Sequence, residues 1–143
     1  MGNFIARPTH ASKRVIWCDT EGGVRGTRAW DVTFIDEALH EPVKAIRFFS
    51  VADAHKGGKA KLRKFIPMSV YASAAKTGAV YVSEHELLEC GRFGEGTYKA
   101  VGQSMQAAVA GYLTQRKGCV LCAWNMRAHD KRVLTGLAGK DVM

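Results

Sequence analysis

Val15-Ile16-Trp17-Cys18-Asp19-Thr20-Glu21-Gly22-Gly23 is the stretch from which the fold is read. Four apolar residues lead to an acid, one residue is skipped, a second acid follows, and two glycines close the run. Val15 and Ile16 are β-branched, and an apolar run of this length reads as a short buried strand. Side chains on a strand alternate between faces, so Asp19 and Glu21 project to the same side at the strand end. Two like charges so placed repel unless a cation lies between them. Magnesium and similar hard cations take carboxylate oxygens and often use only one or two protein carboxylates. The same residues also suit an edge strand that runs into a polar Gly-Gly turn.

The chain has 143 residues, enough for one domain with a real core. A first segment, residues 1–12, with Pro8, Thr9, His10 and Ser12 and little periodicity, reads as a flexible arm; residues 13–143 read as a single domain. A hydrophobic fraction of 47% with 24% charged residues places it among soluble globular proteins. No apolar run approaches the ~20 residues of a membrane span. The N-terminus lacks the sustained apolar stretch of a secretory signal, so an intracellular, non-secreted protein with free thiols is expected. The formal net charge of +8 favours polyanionic partners, nucleic acid above all. Cys119 and Cys122 form a C-x-x-C, but three residues apart on a strand they face opposite ways, and no zinc site is expected.

Further strands follow the first. Trp30, Val32 and Phe34 alternate through residues 28–36 and are expected to face the core together. Residues 43–51 make a third strand, with Val43, Ala45, Arg47 and Phe49 on one face and Ile46 and Phe48 on the other. Short connections suggest an antiparallel meander. Residues 53–64 are the most cationic segment, and Lys59, Lys61, Arg63 and Lys64 are candidate phosphate contacts. A solvated loop running into a helix explains the same composition. Ser69 is expected to cap a helix through Lys76 that Gly78 ends.

Ser83-Glu84-His85-Glu86 has the spacing of a capping box and predicts a short helix from residue 84 to about 90. Residues 91–96 read as a glycine-rich loop without the lysine of a P-loop. An amphipathic helix is expected to begin at Thr97 or Tyr98, with Val101, Met105, Ala108, Val109, Tyr112 and Leu113 on one face. Residues 119–124 then form an apolar strand, read as buried on both faces. Asn125 ends it, and a helix through Leu137 carries Asp130.

A strand ending in Asp-x-Glu, then a long helix, an apolar strand, an Asn, and an Asp followed by apolar helix residues resembles the DEDD exonucleases. Asp19 and Glu21 match that superfamily's first motif; Asp130 with Asn125 resembles its second. His129 stands where the family usually has Phe. The third motif, which carries a fourth Asp and a general base, has no counterpart: thirteen residues follow Asp130, and Asp141 is the sole acid among them.

The resemblance implies a ribonuclease H-like α/β fold, with three antiparallel strands, a parallel fourth and flanking helices; truncation at the C-terminus is one of the readings left open by the missing third motif. It implies a 3′–5′ exonuclease acting on DNA or RNA, a hydrolase of ester bonds. Two Mg2+ or Mn2+ ions would sit about 3.5–4 Å apart, held by Asp19, Glu21 and Asp130. A single-stranded 3′ end is the expected substrate, with backbone approach at Gly22 and Gly23 and support from Asn125. No residue is assigned as general base. The missing acid leaves two other readings open: a catalytically weak or inert module that binds nucleic acid through basic residues, and a fragment or self-associating chain whose fourth acid comes from elsewhere.

Overall fold

The computed structural model describes residues 15–23, 28–37, 42–89, 91–116 and 118–123. Six strands form one mixed sheet: β1 (Val15–Gly22), β2 (Ala29–Glu37), β3 (Lys44–Phe49), β4 (Tyr81–Leu87), β5 (Phe93–Ala100) and β6 (Val120–Ala123). Their order across the sheet is β5-β4-β3-β2-β1-β6. Helices α1 (Lys56–Phe65) and α2 (Met68–Thr77) connect β3 to β4, and α3 (Met105–Thr114) connects β5 to β6. The class is α/β as expected. The antiparallel part, however, is a five-stranded meander rather than three strands, and β6 is the parallel strand, paired with β1. Among the described residues no helix is long and apolar enough to cross a membrane.

Alternation along each strand divides the sheet into two faces. On one, Ile16, Val32, Phe34, Ile46 and Phe48 are buried against Met105, Val109 and Tyr112 of α3. Phe34 stacks on the Tyr112 ring at 4.5 Å between centroids. The helix spacing that predicts this contact holds, but α3 starts at Met105, where the Ser104 hydroxyl accepts a hydrogen bond from the Ala107 N–H. Tyr98 lies instead on β5.

On the other face, α1 and α2 cover one end of the sheet through Phe49, Leu62, Ile66 and Ala74. Trp30 belongs to this second cluster and not with Val32 and Phe34. The register shifts between Glu21 and Gly22, where β1 meets the start of β2, and that break in the alternation turns Trp30 toward the helices. Gly58 gives the indole room: a Cβ there would lie 2.7 Å from Trp30 Cζ2. The cationic segment is thus mostly helix, started by His55, whose Nδ1 accepts from the Gly58 N–H at 2.8 Å. Helix α2 begins after Pro67 without a side-chain cap, rather than at Ser69, and ends at Gly78 with φ of 73°.

Residues 84–87 are strand, not the start of a helix. Local sequence offers a capping box there, but pairing with β3 takes the backbone hydrogen bonds, with Arg47 opposite Ser83 and Ile46 opposite Glu84. The glycine-rich stretch becomes the turn and first half of β5. Strand β6 is the outer strand of the described sheet, and Val120 is 41% exposed, so it is not buried on both faces.

Candidate functional site

The uncovered half of the second sheet face is the floor of an open cleft of about 1220 Å³. Backbone register lays its floor out in transverse rows. Glu21 stands opposite Asp31, which stands opposite Phe49; in the next row Asp19 faces Thr33, Thr33 faces Arg47, and Arg47 faces Ser83. Asp19 and Glu21 therefore share the cleft-facing side at the C-terminal end of β1, as the alternation predicts. Asp19 is exposed, and the Glu21 side chain is 42% accessible.

Glu21 and Asp31 form a cross-strand pair of acids, which alone is unfavourable. Two cations offset it. Arg47 donates to both Asp31 oxygens, Nε to Oδ1 at 3.0 Å and Nη2 to Oδ2 at 2.6 Å, a bidentate contact in which both side chains are about nine-tenths buried. The Thr33 hydroxyl also donates to Asp31 Oδ1, at 3.4 Å. From α1, Lys61 Nζ lies 3.3 Å from Glu21 Oε1. Lys61, Lys64 and Phe65 follow at helical spacing and form one wall of the cleft.

Of the four basic residues expected to meet phosphate, Lys61 and Lys64 line the cleft. Arg63 turns to α2, where it donates to the Tyr71 hydroxyl at 3.1 Å and packs over the Tyr71 ring. Lys59 does not line the cleft. Gly22 and Gly23 both have positive φ, 83° and 79°. At Gly22 a Cβ would lie 2.6 Å from the Arg28 carbonyl oxygen and 2.7 Å from Trp30 Cδ1, so its missing side chain serves a close approach within the chain itself.

The opposite wall is the β4–β5 hairpin. Between the pairs His85–Gly96 and Leu87–Phe93, β5 carries one residue more than β4. That bulge re-aims Phe93 so that it lines the cleft. His85 secures the arrangement. The Gly94 carbonyl can only accept, so His85 Nδ1 donates to it at 2.9 Å; in the neutral ring Nε2 then accepts from the Ser83 hydroxyl, also at 2.9 Å. The imidazole lies over Gly96, where a Cβ would come within 2.2 Å of it. Tyr98, beside it, has its phenol pKa raised above 10.0 by burial, against a smaller lowering by the Arg47 guanidinium.

Local sequence does not mark Asp31, Arg47 and Phe93 as site residues, and His85, which with Glu84 and Glu86 has the chemistry of a metal ligand, reads there as part of a solvated helix start. Arg47 carries the clearest signal, a lone arginine in an apolar strand, which has to find a buried partner. Asn125 and Asp130 lie outside the described residues. The last described residue of β6, Ala123, pairs with Cys18, the residue that precedes Asp19.

Asp19 and Glu21 supply the oxygen donors a hard divalent cation prefers, in the small number such a cation uses. Asp31 is occupied by Arg47. Among the described residues no group of three His, Cys, Asp or Glu side chains is arranged to hold a metal ion. The acid pair therefore suits one ion, and a second would need donors beyond these two. Comparison with protein-family models, curated proteins and solved structures finds no match to this chain.

Proposed function

We propose that the chain is a metal-dependent nuclease that hydrolyses phosphodiester bonds at the 3′ end of a nucleic acid, with a ribonuclease H-like fold. The observation that carries this reading is the placement of Asp19 and Glu21 on a cleft floor, at the C-terminal end of β1, facing a lysine-bearing wall. Ligands of open α/β sheets gather at the carboxyl ends of parallel strands, and β1 and β6 form the parallel pair here. The 3′–5′ polarity comes from the resemblance to the DEDD exonucleases.

In this reading Asp19 and Glu21 hold Mg2+ or Mn2+, with Asp130 as the third acid. The bound ion supplies Lewis-acid stabilisation of the charge that builds on the phosphoryl oxygens. Lys61 exchanges Glu21 for a phosphate oxygen when substrate enters. Arg47, fixed by Asp31, keeps a positive charge under the strand. Replacing Asp19→Ala together with Glu21→Ala should abolish magnesium-dependent digestion of a single-stranded oligonucleotide. Digestion at the wild-type rate would contradict the reading.

One observation favours a second reading, a nucleic-acid-binding module with an inert acid site: Glu21 and Asp31 already have protein cations as partners. That reading expects binding of equal strength with and without magnesium, and no cleavage by the wild-type chain.

A further inference from the structure

Two aromatic side chains on the cleft walls are unusually open. Phe65, the last residue of α1, is 60% exposed, and Phe93, at the start of β5, is 40% exposed. Both line the same cleft. Each ring is backed on one side by a group from the floor. The Arg47 guanidinium carbon lies 5.4 Å from the Phe65 ring centroid, and the His85 ring lies 5.3 Å from that of Phe93, tilted by 34°. The backing groups are themselves anchored, Arg47 by Asp31 and His85 by Ser83 and Gly94. They are diagonal neighbours across β3 and β4, since Arg47 pairs with Ser83, which sets their backbones about 7–8 Å apart. Two supported aromatic faces thus stand open on opposing walls.

The acids Asp19 and Glu21 occupy the β1 end of the cleft; Lys64 and Arg92 stand on the walls beside Phe65 and Phe93, where Glu95 is a further lining residue. Among the described residues no acid pairs with Lys64 or Arg92. Aromatic faces beside unpaired cations are the elements with which proteins hold single strands, bases stacked on rings and phosphates on lysine or arginine. A duplex keeps its bases stacked on each other and offers a free base face only at its two ends.

We infer that Phe65 and Phe93 form a stacking subsite for two bases of an unpaired strand, with Lys64 and Arg92 on its phosphates, in the half of the cleft away from the acid pair. The inference rests on the nucleic-acid reading above and adds the residues that grip the strand. Stacking on supported rings explains why two phenylalanines stay exposed on a cleft wall, where burial would otherwise be favoured.

The test is fluorescence anisotropy with the full chain, labelled oligothymidylate and oligouridylate, and EDTA present so that binding is read without cleavage. Phe65→Ala and Phe93→Ala are each expected to weaken binding of at least one probe about 5- to 100-fold. Phe65→Tyr and Phe93→Tyr keep a stacking face and should stay within about 3-fold of wild type. If an alanine variant fails to fold, Phe65→Leu and Phe93→Leu, which keep apolar bulk but lack a ring face, carry the test with the same expected loss, and wild-type affinity in both overturns the subsite. Lys99→Gln, on the opposite face of β5, should change nothing. Wild-type affinity in both alanine variants overturns the subsite, as does a blunt duplex of the same length binding equally well. Failure here is distinct from failure of the nuclease reading. Weakened binding in the alanine variants without acid-dependent digestion removes only the chemistry; acid-dependent digestion with normal binding in those variants removes only the subsite.

Discussion

On one face of the sheet Val32, Phe34, Ile46 and Phe48 pack on α3 as an apolar layer; on the other, at the same strands, Asp31 and Arg47 form a bonded ion pair under an open cleft. The two faces alternate residue by residue along β3, where Ile46, Arg47 and Phe48 are all buried. The comparison separates the face that stabilises the fold from the face that holds charge in place. Apolar burial on the α3 side is favourable without conditions. The ion pair on the cleft side must offset the desolvation of two charges before it contributes anything, so it adds little net stability while fixing a guanidinium in place.

The strongest way to break that contrast is to cut into the apolar layer. Phe34→Ala should destabilise the fold by about 3–5 kcal/mol, whereas Phe65→Ala on the cleft wall should stay within about 0.5 kcal/mol of wild type; urea unfolding of both variants reads the difference. A smaller effect is expected from orphaning Asp31. Arg47→Ala should cost about 3 kcal/mol, because it leaves a buried carboxylate uncompensated, and the double change Asp31→Leu with Arg47→Met should restore most of the loss. A double variant as unstable as the single one would show that the pair stabilises the fold outright.

Next comes the hairpin wall. Gly96→Ala forces a methyl group into the His85 ring and should cost about 1–3 kcal/mol. The cost should appear as faster amide exchange in β4 and β5, with β1 and β2 unaffected, and adding His85→Ala should relieve it. The smallest effect is on Tyr98. Its raised pKa means that the folded protein keeps a proton the unfolded chain gives up. Its contribution to stability is complete below the ordinary phenol value of about 10 and is lost as pH rises through the folded pKa. Ultraviolet titration should show a late-titrating tyrosine that disappears in Tyr98→Phe and moves later still in Arg47→Ala.

Much of the α3 side was legible in the sequence, because alternation in β2 and β3 and helical spacing in α3 are local patterns. The same alternation set Asp19 and Glu21 on one side of β1. The cleft wall was not legible. Ser83-Glu84-His85-Glu86 satisfies a local helix signal, and only its distant partners on β3 make it strand. Residues 91–96 are too rich in glycine to read as strand, yet Gly96 is needed under the His85 ring. Arg47 announced a partner but not which one, since Asp31 lies sixteen residues earlier and is reached only through the β2–β3 register. Trp30 obeyed the period in sequence and broke it in space, where the register shifts.

The central claim is that the two acids at the end of β1 form a divalent-cation site in the cleft. Crystals of the full chain soaked in manganese test it most directly. The account predicts an anomalous peak within ligand distance of both the Asp19 and Glu21 carboxylates, with Lys61 Nζ moved off Glu21. Saturating manganese with no peak there, and Lys61 still on Glu21, would contradict it.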